Sequence, residues 1–173
     1  MGQGTQTTGA MMEVHPDLSK VTEFTAIDHD ITEDIAEIRA LHDEAKSFLL
    51  SHKWCKEIKR SYVGFVHPGI IGVFLFNFSP ARNDVDEWVW VIVGDVPPAY
   101  ITCERLQNPA AALNGYIGAM EEWVEAVKVG KSVTGLIPVN VPPTANFSER
   151  LKKRLKFLDE RILSQYKGDL VKK

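Results

Sequence analysis

The segment KEIKRSYVGFVHPGIIGVFLFNF, residues 56–78, decides the fold. In its first half Ile58, Tyr62 and Val66 alternate with Val63 and Phe65, which is the period of a strand. Pro68 and Gly69 then make a tight turn, proline fixing φ at the first central position and glycine free to take positive φ at the second. The run that follows, IIGVFLFNF, is apolar on both faces, as a strand buried on both sides must be. Two strands joined by so short a turn are antiparallel. A doubly wound fold would alternate strand and helix, so the class is read as α+β.

Outward from this hairpin the elements follow in order. Upstream, ITEDIAEIRALHDEAKSFLLSH carries Ile35, Ile38, Leu41, Ala45, Phe48 and Leu49 at helical spacing, with Asp30 and Glu33 as a capping pair. Downstream, SPARNDVDE is a polar loop, and WVWVIVG is a second strand apolar on both faces. Gly94 lets the chain leave the sheet, Val96 is held extended by the proline after it, and Pro97 and Pro98 stiffen the reversal into a short fourth strand near Tyr100–Glu104. Asn108 caps a helix that has Pro109 at its first position and Gly130 at its end. A proline-punctuated extended segment, GLIPVNVPP, leads to a last helix from about Ala145 to Gln165. The expectation is a single domain over residues 26–168 after a flexible segment, 1–25. It holds one antiparallel sheet of about four strands, covered on both faces by three helices.

Composition limits the function classes. With 45% hydrophobic and 25% charged residues the chain has the balance of an ordinary globular protein. The net charge of -3 gives no general affinity for nucleic acid, but it conceals a gradient. Residues 1–50 hold three basic and ten acidic groups, whereas residues 147–173 hold nine and four. The two ends should therefore attract, or present solvated faces of opposite sign. Cys55 and Cys103 lack CxxC spacing, which points to a reduced cytoplasm. The N-terminus has no charge-plus-apolar leader and no span, so neither secretion nor membrane insertion is expected.

Few residues suggest chemistry. Asp95 is the carboxylate of most interest: an Asp in a loop usually bonds the N–H two residues on, but that residue is Pro97, which has none. It must find another donor, a backbone N–H or an arginine if its role is structural, a ligand or partner otherwise. Tyr100 lies at the same sheet rim, and Trp88 and Trp90, at alternate positions, share one sheet face that is either core or a partner groove. GKS at residues 130–132 is not a phosphate loop, because Glu125 stands where the motif needs glycine. His52 and Cys55 are too weak a pairing to read as a nucleophile and base, and no metal or cofactor is expected, since no HExxH or zinc spacing occurs. The bases Lys152, Lys153, Arg154 and Lys156 read as a solvated face with Glu149, Asp159 and Glu160 nearby.

The segments DEWVWVIVGDVPPAYIT, NPAAALNGYIGAMEEWVEAV, GLIPVNVPPT and RLKFLDERIL resemble an uncharacterised family of small bacterial proteins over roughly residues 54–163. The resemblance implies a small cytosolic bacterial protein and lends no catalytic residue. On these grounds the sequence favours a non-enzymatic binding or accessory protein, an immunity-type partner of another protein being one form of it. A homo-oligomer is left open. The alternative is a small-molecule-binding protein or enzyme with its site at the sheet rim around Asp95 and Tyr100.

Overall fold

In the computed structural model, residues 16–27, 33–81 and 87–170 are described. The capping pair at Asp30 and Glu33, His15, His29 and the acids of the loop before Glu87 lie outside the described residues or side chains. Five strands form one antiparallel meander in the order β1-β2-β3-β4-β5: β1 Thr22–Glu23, β2 Cys55–His67, β3 Ile71–Pro80, β4 Trp88–Gly94 and β5 Ala99–Thr102. The turn expected at Pro68–Gly69 is present, with Gly69 at φ 77° and the Ile70 N–H donating to the His67 carbonyl at 2.9 Å.

The fifth strand corrects the expected four. It is β1, whose Thr22 and Glu23 pair with Val63 and Tyr62, inside the segment read from sequence as flexible. Of that segment, residues 16–25 are anchored further by the Asp17 N–H, which donates to the Gln107 carbonyl at 2.7 Å. Two residues carry no period, so no pattern could mark them.

Both central strands are buried on both faces, as their composition requires. Val73 and Leu75 of β3 with Trp90 and Ile92 of β4 point to one side; Phe74, Phe76 and Phe78 with Val89, Val91 and Val93 point to the other. The second side is covered by α1, Glu33–Leu50, through Leu41, Ala45 and Leu49. The first is covered by α2, Pro109–Lys128, and α3, Ala145–Phe157. Asn108 caps α2 as expected, its side-chain oxygen accepting from the Ala111 N–H at 2.8 Å. The chain stays helical beyond α3 through a π turn, Leu158–Ile162, a 3-10 turn, Leu163–Tyr166, and a last α turn, Lys167–Leu170.

This layering decides what becomes of the charge gradient. Acidic α1 and basic α3 lie on opposite sides of the sheet, so their charges do not meet. The ion pair that joins the N- and C-terminal parts among the described residues has the reverse polarity, Lys20 Nζ to Asp169 Oδ1 at 3.0 Å. Among the described residues, then, the acidic helix and the basic helix do not attract each other directly. The solvated-face reading fits instead.

His42 is the polar group in the α1 core. It is 5% exposed, its ring stacks on Phe24 with centroids 3.7 Å apart, and its Nε2 meets Ser61 Oγ at 2.8 Å. Its Nδ1 has no hydrogen-bond partner, Asp43 Oδ1 standing at 3.7 Å, beyond bonding distance. Burial lowers its pKa; Asp43 opposes that shift and Lys46 adds to it. A lowered folded pKa means that its contribution to stability is whole above the unfolded value, about 6.5, and is lost as pH falls through the folded one. Burial of His67 acts in the same direction. Melting temperature should therefore drop between about pH 7.5 and about pH 5, and less so in His42→Phe. An equally steep profile in that variant would clear His42 of the effect.

Candidate functional site

The residues singled out from sequence are dispersed by the fold. Trp90 is fully buried and its indole N–H donates to the Leu106 carbonyl at 2.6 Å, so it belongs to the core and cannot face a partner. Trp88 shares that sheet face and is half-buried, its ring 5.9 Å from that of Tyr62. Tyr100 turns to the opposite face, where its ring meets His52 at 5.0 Å and Trp54 at 4.9 Å. Asp95 lies on the α3 side. Asp95 and Tyr100 therefore serve two different surfaces.

The two cysteines are likewise divided by the sheet, Cys55 in the core under α1 and Cys103 in the other, both buried. Burial raises the Cys55 thiol pKa, which disfavours the thiolate a nucleophile requires. His52 directs Nδ1 to the Phe48 carbonyl, 2.9 Å away, and not to the thiol.

Around Asp95 the geometry is orderly. Gly94 takes φ 134°, a conformation L side chains rarely adopt, and a Cβ there would lie 2.6 Å from the Ile70 carbonyl oxygen. The next residue uses the same contact: the Asp95 N–H donates to the Ile70 carbonyl at 3.0 Å. Two residues on, the Pro97 carbonyl accepts from the Tyr116 hydroxyl at 2.6 Å, and burial holds that phenol well above its usual pKa. The loop is thus tied at Asp95 and at Pro97 and stiffened by Pro97 and Pro98. Its carboxylate, denied a donor within the loop, accepts from the Arg154 guanidinium of α3.

Loop and helix enclose a depression of about 340 Å³. One wall is Gly94–Pro98, another Asn140 and Val141 of the extended segment, and the third Phe147, Arg150, Leu151 and Arg154 of α3. Arg150 and Arg154 are four residues apart and so project from one helix face. In sequence Arg154 reads as part of a solvated basic run, and Arg150 stands just outside it. The four-residue spacing was the available signal, but nothing local joins either arginine to a loop some 60 residues earlier. The Asp95–Arg154 pair is well exposed, with side chains 60% and 42% accessible, so it contributes little to stability.

The depression contains one carboxylate, two guanidinium groups and an amide, and no thiol, imidazole or hydroxyl side chain lines it. That inventory can bind and orient; its one group able to act as a nucleophile, the Asp95 carboxylate, is engaged by Arg154. Among the described residues no group of three or more His, Cys, Asp or Glu could hold a metal ion, and no helix is long and apolar enough to cross a membrane. No protein-family model, no curated protein and no solved structure matches the chain.

Proposed function

We propose that the protein is a non-enzymatic binding or accessory protein, an immunity-type partner of another protein in a bacterial cytoplasm. The depression between the Gly94–Pro98 loop and α3 is its contact surface. The observation that carries this reading is the loop itself, a backbone pinned at Asp95 and Pro97 that holds an exposed, weakly stabilising ion pair at the mouth of a concavity. Rigid, exposed and electrically patterned surfaces bind with little ordering cost. The two cysteines, buried on opposite sides of the sheet, suit a reducing compartment, and the resemblance to small bacterial proteins agrees with that setting.

Asn140→Trp tests the surface without touching the core, because Asn140 is exposed at the rim. The variant should melt as the parent does and lose the protein that co-purifies with the parent from native lysate. Retention of every partner by a folded Asn140→Trp protein would remove this surface from consideration.

A further inference from the structure

We propose that the depression takes a protein segment in which an acidic side chain stands beside an apolar one, with the carboxylate seated on Arg150. The inference rests on the surface assigned above and names the chemistry of its partner. Charge comes first. Asp95 is answered by Arg154, whereas Arg150, in the same wall, has no ion pair among the described residues. The groove on the other flank of α3, shared with α2, is lined by four carboxylates and four lysines and is neutral as a whole. The uncompensated cation of this helix therefore faces the loop.

The rest of the depression states what should accompany the anion. Val96, Val141, Phe147 and Leu151 give it apolar walls, beside Pro97 and Pro98. Burying an apolar side chain there removes water from around Arg150 and strengthens its contact with a carboxylate. A guanidinium accepts a carboxylate through two parallel N–H···O bonds, and Asn140 across the mouth can donate a third. A phosphate fits less well. Its second charge would be opposed by Asp95, which lines the same cavity.

The occupancy of Arg154 by Asp95 adds a consequence of unusual sign. If an acidic residue is the ligand, Asp95 competes with it, and Asp95→Ala frees a second guanidinium. Binding should then tighten while stability barely changes.

Fluorescence polarisation tests the proposal with a fluorescein-labelled peptide of alternating Leu and Glu, and with Leu-Gln and Ser-Glu peptides as controls. The Leu-Glu peptide should bind, more weakly as salt rises from about 50 to about 300 mM, and better than either control. Arg150→Glu should reduce affinity at least about tenfold with an unchanged melting curve, and Asp95→Ala should raise it. Equal binding of the Leu-Gln peptide, no binding of the Leu-Glu peptide, or full affinity in Arg150→Glu would overturn the proposal. The surface assignment fails separately: if Asn140→Trp releases the co-purifying protein and Arg150→Glu does not, the place is right and the acidic chemistry wrong.

Discussion

Trp90→Ala should cost about 3–5 kcal/mol, the largest single loss expected in this protein. The indole is fully buried at the centre of β4, with Leu75 of β3 and Ile101 of β5 as its cross-strand neighbours. Two penalties combine in the alanine variant: a cavity in a core that can relax only partly, and a Leu106 carbonyl deprived of its 2.6 Å donor. Trp90→Phe separates them in part, since it keeps an aromatic ring and leaves a much smaller cavity while losing the N–H. It should cost about 1–3 kcal/mol. Urea titrations followed by circular dichroism give both values from the shift in midpoint at constant slope. With whole-domain stabilities of about 5–15 kcal/mol, the alanine variant stands close to unfolding. An alanine cost below about 1 kcal/mol would contradict a buried indole.

Gly94→Ala should be nearly as damaging for a different reason, about 3 kcal/mol or more from backbone strain together with collision. The added Cβ would meet the Ile70 carbonyl oxygen at 2.6 Å and the Ile71 Cα at 2.8 Å, both main-chain atoms with no freedom to rotate aside. The end of the β3–β4 ladder must open, carrying the Asp95 N–H away from its acceptor and the Gly94–Pro98 wall of the depression away from α3. Loss of stability and loss of binding are therefore expected together, unlike the binding-only effect of Arg150→Glu. Gly135→Ala is the control. Its φ is also positive, at 89°, but nothing lies within 4 Å of the added carbon, so it should cost on the order of 1 kcal/mol, the strain alone. Equal melting temperatures for the two alanine variants would show that the crowding at Gly94 is not felt.

How far the fold was legible depended on how locally each feature is encoded. The two strands apolar on both faces, the Pro68–Gly69 turn and the Asn108 cap each rest on residues within a few positions of one another, and each is found. The antiparallel α+β class follows from them. β1 escaped because two residues have no periodicity. His42 escaped because a histidine on the buried stripe beside Leu41 and Ala45 reads as polar, and only the stacked Phe24 and Ser61, from other elements, make its burial tolerable. The want of a donor for Asp95 was readable from Pro97 alone. Its partner was not, because Arg154 is brought to it by the docking of α3 and not by anything in the loop. Trp90 and Tyr100 show the opposite failing. Alternation assigned the tryptophan to a face but could not say that α2 covers it, and nearness in sequence placed Tyr100 beside Asp95 although one lies behind the sheet from the other.

The π turn at Leu158–Ile162 makes the end of the chain a matter of phase. One residue more than an α-helix would hold is accommodated there, and each residue of helix turns the chain by about 100°. After that offset Ile162 and Leu163 are both buried, and Tyr166 arrives parallel to Phe65, ring centroids 4.3 Å apart, with its hydroxyl 2.8 Å from His67 Nε2. A deletion of one residue in this turn would hardly shorten the molecule. It would rotate everything beyond it, carrying Tyr166 off Phe65 and Asp169 away from both Lys20 and Asn108. The last turns thus act as a key whose bit is cut by a single inserted residue, and they tolerate substitution far better than any change in length.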